Sequence, residues 1–413
     1  MIDTLKNLKK ENFLIFIIIF FTILFPITYL VGNSVINTLV FILSLSLIAH
    51  NLIKKDLNKF NNIIFIFLFC LWSTFVINLF FSQNFDLSLN RVLKFFFIIF
   101  FIFAIKFSIN YKNNYYEHLI FKLWTFIFLI VFFDLIFEYH FGYNITGNVS
   151  FMPSRLTSFL KDELVIGYYF IGFALFAYVT LEEKIDNKLI SFLILMCLII
   201  LSFLIGERAN FIKFFIACFT FLMVASEINI KKKLFSLAVV VSIIFFIIQS
   251  NAIYKSRFIY QMPNIFSLNE TKNFYFNSTY GSHYNTAINV FKNNLLFGVG
   301  IKNYREQSIK KIYIDKNKDF KFKIIGTHPH QLHFEILAET GLFGYISFFS
   351  FIIYSLVISI KTFVKNRNKY QLSAILFIVV SIIPVLPSGS IFSTYTSILF
   401  WLNYAIMISY NRK

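Results

Sequence analysis

Apolar and polar positions along this chain fall in long blocks rather than alternating singly. About twelve apolar runs occupy residues 13–31, 35–50, 63–81, 92–110, 119–138, 164–181, 189–206, 210–226, 234–250, 333–360, 372–387 and 391–410. Each is near the length at which a helix crosses a hydrocarbon core of roughly 30 Å. The polar breaks between them are short, apart from a medium one at 139–163 and a long one at 251–332. The pattern predicts an all-α polytopic membrane protein of about twelve transmembrane helices, with one large loop between helices 9 and 10. Residues 1–250 then carry helices 1–9, residues 251–332 the loop, and residues 333–413 helices 10–12. A transmembrane β-barrel would show alternating segments of about ten residues instead.

Composition strengthens this picture. Of 413 residues, 58% are hydrophobic, 60 are Phe and only 14% are charged. The basic N-terminal stretch MIDTLKNLKKEN precedes an apolar run too long for a signal h-region, and no small-x-small cleavage site follows it, so the run is expected to be a retained first span. Cys70, Cys197 and Cys218 lie inside apolar runs and imply neither a disulfide framework nor a thiolate metal site.

The formal charge of +18 changes the picture through its distribution, and it is read as membrane topology, not nucleic-acid binding. With the N-terminus in the cytoplasm, twenty Lys and Arg fall on inner segments and six on short outer connections, a positive-inside bias that places both termini in the cytoplasm and the long loop outside. The inner cations are mostly Lys. Three of the outer connections carry one arginine each: Arg91, Arg155 and Arg208. Snorkelling anchors would explain any one of them. Together they point to an anion site, because a guanidinium fork binds phosphate bidentately and stays charged. Acidic residues gather at the same face: Asp134 and Glu138 on one helical face, Asp162 and Glu163, and Glu207 beside Arg208. They are expected to pair with the arginines, and one of them could alternatively accept a proton.

Within the long loop, TYGSHYNTAINVFKNN has Tyr280, Tyr284, Ala287, Ile288 and Phe291 at helical spacing, which predicts an amphipathic helix lying on the membrane face or capping a cavity. Gly298 and Gly300 in FGVGIKNY permit a tight turn or a close backbone approach; no βαβ context makes them a dinucleotide site. KKIYIDKNKDFKFK reads as a solvated charge run.

The loop ends at THPHQLHFEILAETGLFG, residues 327–344, with three of the seven histidines. Pro329 fits the first position of a helix. On such a helix His330, His333, Phe334, Leu337, Gly341 and Gly344 share a face, with Glu335 and Glu339 on the other side, and the glycines allow a second helix to approach. Three chemistries compete for the cluster. Interfacial histidines at a helix cap are one. A metal held by His328, His330, His333 and Glu335 is another, although no zinc-type spacing is present. The third is a general base, a neutral imidazole held low by neighbouring cations.

These stretches resemble the superfamily of O-antigen ligases and Wzy-type O-antigen polymerases, GT-C-like glycosyltransferases of the bacterial envelope. The twelve-span plan, the single large loop between spans nine and ten, GERANFIKF after the seventh span and THPHQLHFEILAETGLFG entering the tenth carry the resemblance, with RLTSFLKDELVIGYYF and NNLLFGVGIKNY beside them. The resemblance implies metal-independent, inverting transfer, without a cofactor, of a glycan from an undecaprenyl-pyrophosphate-linked donor. The acceptor is a hydroxyl at the periplasmic face of the bacterial inner membrane. Lipid A-core as acceptor, hence a ligase, is favoured, with a lipid-linked glycan, hence a polymerase, close behind. The family histidine is matched by His330, followed here by Gln331 where Asn is usual. Arg208 and Arg155 match family stretches, and Arg257 in YKSRFIYQ matches a second pyrophosphate arginine. Arg91 is added by topology, and His328, His333, Gln331, Glu207 and Glu335 are expected to support the base or bind acceptor. The alternative, a lipid-linked oligosaccharide flippase or other transporter, should show broken helices with charge at mid-membrane and internal repeats. Neither is evident in the sequence.

Overall fold

A computed structural model describes residues 10–55, 62–152, 154–160, 163–226, 229–261, 279–310, 312–313, 326–384 and 386–411, with Thr4, Asn7, Leu8, Ser267 and Asn269. Lys161, Asp162 and most of the 310–323 charge run lie outside the described residues. Each of the twelve apolar runs contains a helix: α1 Phe13–Val31, α2 Asn33–Lys54, α3 Ile63–Phe80, α4 Phe85–Asn110, α5 Glu117–Phe141, α6 Ile166–Glu182, α7 Lys188–Leu204, α8 Arg208–Ala225, α9 Ile230–Ser250, and, after α10 Thr279–Asn293 in the long loop, α11 Leu332–Asn366, α12 Lys369–Ser381 and α13 Thr394–Ser409. Eight of them (α1–α5, α8, α9 and α11) are long and apolar enough to cross a membrane, whereas α6, α7 and α12 are shorter apolar helices.

Asparagine sets many of the helix starts. Asn12, Asn62, Asn84, Asn187, Asn229 and Asn368 each precede a helix and accept a hydrogen bond from a backbone N–H of its first turn. This satisfies donors that have no carbonyl partner within the helix. The helices pack through aromatic side chains: Phe121 stacks on Tyr370 at 4.2 Å, and Trp124 sits edge-on to Phe173 at 5.5 Å.

The connections separate into two ends, as alternation of the spans requires. At one end Glu11 accepts from Tyr111, Tyr116 and Lys112, Asn110 reaches the carbonyl of Ser409, Tyr410 reaches Glu117, and Lys369 pairs with Glu182 at 2.8 Å. The other end collects the turns after α3, α5 and α7, the loop helix α10, and the segments leading into α11 and α13. There the amide of Gln83 donates to Val299, that of Leu156 to Ile205, and that of Ser388 to His330.

The segment entering α11 departs from the sequence expectation. The helix starts at Leu332, capped by Gln331, whose side chain accepts from the amide of Phe334. Pro329 therefore precedes the helix, and His330 stands off it with φ 57°, in the left-handed region. Helical phase accordingly does not apply to His330. Glu335 and Glu339 are buried rather than facing away from the packed side, at 1% and 0% exposure.

α11 is also broken. Gly341 has φ 64° and ψ −166° between two helical stretches. The loop 294–300 threads into the break: Val299 and Gly300 donate their amides to the carbonyls of Ala338 and Glu339 at 3.0 and 2.9 Å, while Leu342 and Phe343 donate to Leu295 and Leu296 at 2.8 and 3.1 Å. The backbone groups released by the break are thus paired, as a buried interruption demands. A Cβ on Gly341 would lie 2.3 Å from the Leu296 carbonyl oxygen. Gly298 and Gly300 make the close approach expected of them, both at positive φ. The broken helix was not expected from the sequence.

Candidate functional site

The histidines meet above the start of α11. The ring of His330 lies 4.1 Å from that of His328 and 5.1 Å from that of His283, centroid to centroid, with Tyr280 edge-on at 5.5 Å. Tyr280 and His283 come from α10, whose dry face (Tyr284, Ala287, Val290) packs on Phe334 and Ala338 of α11. The expected amphipathic helix is therefore present and acts as the lid that brings two aromatic rings to His330. His283 fits tightly: a Cβ on Gly326 would come within 2.6 Å of its ring.

Burial, followed by the neighbouring His283, holds His330 down to about 4. Burial, followed by the charges of His330, Lys302 and His283, takes His328 to about 2. Both imidazoles are neutral at pH 7. Neither ring nitrogen of His330 is hydrogen-bonded among the described residues. His328 shares Nδ1 with the hydroxyl of Thr327 at 3.1 Å, while its Nε2 is buried, with the Ser388 backbone beside the ring and no hydrogen bond of normal geometry. His333 is placed differently. It stacks on Phe349 at 4.4 Å, with Nε2 2.8 Å from the carbonyl of Ile382 and Nδ1 2.9 Å from the Tyr345 hydroxyl. A carbonyl only accepts, so Nε2 carries the hydrogen and Nδ1 accepts from Tyr345. Both nitrogens are engaged, which makes His333 a joint between α11 and the end of α12. No group of three His, Cys, Asp or Glu among the described residues stands where it could hold a metal.

Three of the four expected arginines gather. Arg208 donates to the carbonyl of Arg257 at 2.9 Å; Arg257 donates to the carbonyl of Gly206 at 2.9 Å, to that of Ser154 at 2.8 Å and to the Ser154 hydroxyl. Arg155 stands close enough to act electrostatically on both, and its Nε is buried without a partner. The turn is tight because Gly206, at φ 81°, lies against Ser154, where a Cβ would meet the carbonyl oxygen at 2.1 Å. Glu207 accepts from the Gly167 amide at 2.8 Å and from Asn210 at 2.5 Å. Burial raises its carboxyl above the usual range, opposed by those hydrogen bonds and by Arg155 and Arg257. Tyr280 joins the two groups, since it touches the His330 ring and lies within electrostatic reach of Arg208.

The acidic pair on α5 does something other than pair with arginine. Asp134 accepts from the Ile145 amide at 2.7 Å and from the Ser158 hydroxyl, and Glu138 from the amides of Thr157 and Ser158 at 3.0 and 2.7 Å. Both carboxylates order the backbone of the 142–160 connection that presents Arg155. Unpaired amides compete well for a buried carboxylate, and these are nearer than any guanidinium.

Arg91 is not with the other three. It borders a cleft among α3, α4, α11 and α13, beside Lys94. Lys302 acts electrostatically both on Lys94 of this cleft and on His328; its Nζ donates to Ser390 at 2.8 Å and its amide donates to Glu339 at 2.8 Å. Ser390 in turn donates to Glu335, which also accepts from the Ile391 amide at 2.9 Å. Glu335 thus ties the 388–394 segment to α11. Sequence reasoning missed His283, Lys302, Lys94, Glu339 and Ser390, and took Tyr280 only as part of an apolar face. A histidine on the dry side of an otherwise apolar helical stripe was the one available signal.

Residues 191–349 match the family model described as O-antigen ligase, so the resemblance to that family is shown over this stretch. The matched residues include Arg208, Arg257, the four clustered or stacked histidines, Lys302 and Gly341, and leave Arg91 and Arg155 outside. No curated protein matches the chain.

Proposed function

We propose that this protein transfers a glycan from a lipid-pyrophosphate donor, of the undecaprenyl type, to a hydroxyl acceptor at the outer face of a bacterial inner membrane. The observation that carries the reading is a neutral imidazole, without a hydrogen bond among the described residues, linked through Tyr280 to a group of arginines, largely inside the stretch that matches the O-antigen ligase family. His330 accepts the acceptor hydroxyl proton as the oxygen attacks the anomeric carbon, a contribution typically of about 10²–10⁴-fold. The bond to the pyrophosphate oxygen breaks on the opposite face of the carbon, inverting it, and the electron pair leaves with the lipid pyrophosphate. Arg208 and Arg155 face the negative charge that develops there, while Arg257 holds the turn carrying them and adds its charge to theirs. Gln331 and His333 fix the backbone from which His330 projects; His328 and Glu335 shape its surroundings. Lipid A-core is the favoured acceptor, which makes the protein a ligase; a lipid-linked repeat would make it a polymerase.

Transfer in membranes carrying His330→Ala or Arg208→Ala tests this: both should abolish it at normal expression, and unchanged transfer in either removes the assignment. A flippase would share the cations, and the break in α11 is a feature such carriers show. Reconstituted vesicles separate the two readings, because a flippase moves donor without making a glycosidic bond.

A further inference from the structure

The cleft beside Arg91 has no part in the chemistry above, and its charge is unbalanced. Its walls include Phe75, Phe95, Phe348, Phe392 and Trp401, with Arg91 and Lys94 as the charged residues bordering it. Its empty space, the open mouth included, is about 360 Å³. Lys94 is hydrogen-bonded to the Thr394 hydroxyl at 2.7 Å, and neither cation has a carboxylate partner among the described residues. Arg91 and Lys302 are both close enough to act on Lys94 as like charges. An arginine and a buried lysine without carboxylate partners carry, in their charged forms against an aromatic wall, a desolvation cost that an anionic ligand would offset.

Position says which ligand. Lys302 acts electrostatically on Lys94 and on His328 and so links this pair to the histidines, whereas Tyr280 links the arginine group to them. An inverting displacement needs acceptor and leaving group on opposite faces of the reacting carbon. With the donor pyrophosphate on the arginine side, the acceptor enters from the Lys302 side. We infer that Arg91 and Lys94 form a second anion site that binds a phosphate group of a lipid-anchored acceptor, its aromatic wall lying along the adjoining apolar chain. This rests on the transfer reading, and it separates Arg91 from the donor pyrophosphate.

The test uses full-length protein in vesicles of neutral lipid, with native acceptor and with acceptor treated with phosphatase. Acceptor binding is followed by Trp401 fluorescence, independently of transfer, and KM is measured for both substrates. Arg91→Gln and Lys94→Gln should each weaken binding of native acceptor, and raise its KM, by about tenfold, the scale of one lost charge-assisted hydrogen bond. The KM for donor should stay within about twofold, Arg91→Lys should recover part of the loss, and phosphatase treatment should remove the difference between wild type and variants. A rise in donor KM instead, or acceptor binding unmoved by either variant, overturns the inference. So does an effect seen only when anionic phospholipid is added to the vesicles, because the site then takes a bulk headgroup. If no glycan is transferred but acceptor binding still depends on Arg91 and Lys94, the transfer reading fails and the site stands.

Discussion

The two ends of the helical bundle handle charge in opposite ways. At the end holding Glu11 and Tyr410, cations meet carboxylates directly: Lys369 with Glu182 at 2.8 Å and Lys112 with Glu11 at 2.5 Å. At the other end, Arg257, Lys302 and Lys94 are held by carbonyls and hydroxyls of described residues, and the carboxylates Asp134, Glu138, Glu207, Glu335 and Glu339 are held largely by amides and hydroxyls. An ion pair neutralises a cation. A carbonyl orients it and leaves its charge to act on something else. On the proposed function, the difference separates charges that hold the fold from charges kept for a ligand.

The largest effect should come from removing the group those charges surround. His330→Ala should lower the transfer rate by about 10²–10⁴-fold with thermal stability close to wild type, because the ring makes no hydrogen bond with a described residue. A rate within threefold would leave the second end with charge and no chemistry.

Next comes the break that shapes this end. Gly341→Ala places a side chain at φ 64° and 2.3 Å from a carbonyl, and should destabilise the protein by about 3 kcal/mol or more, seen as loss of folded protein by size exclusion and a lowered melting temperature. A variant as stable as wild type would mean that α11 closes into a continuous helix.

The pH dependence sharpens the comparison further. His330 titrates at about 4 in the folded protein against about 6.5 for a free histidine. A base must be neutral, so transfer should stay level from pH 8 to about 5 and fall below that. The depressed value also means that the unfolded chain takes up the proton first as pH falls. The folded state therefore loses stability progressively below about 6.5, down to about 4. A midpoint of transfer near 6.5 would show a ring in ordinary solvent.

The smallest effect belongs to the first end. Lys369→Met removes a partly exposed pair worth about 0–1 kcal/mol and should leave transfer unchanged while lowering the melting temperature only slightly.

The sequence by itself determined the helices, eight of them long and apolar enough to cross a membrane, because apolar runs of that length have few other ways to keep their surface from water. It also determined many helix starts, since asparagine at those positions satisfies amides that the helix leaves open, and it singled out Arg208, Arg155 and the histidine stretch by residue type. Gly298 and Gly300 were legible as a close approach, though not what they approach. Only the tertiary structure decided that Arg257 joins the first two arginines while Arg91 does not, since helical runs of similar pattern say nothing of which neighbours they take. It decided that Asp134 and Glu138 serve amides, a choice made by distance and invisible to composition. It also decided that His330 stands off α11: the helix starts only at Leu332, the Ser388 amide donates to the His330 carbonyl, and α10 closes over the ring. Contacts between residues so far apart in the chain leave no period in the sequence to read.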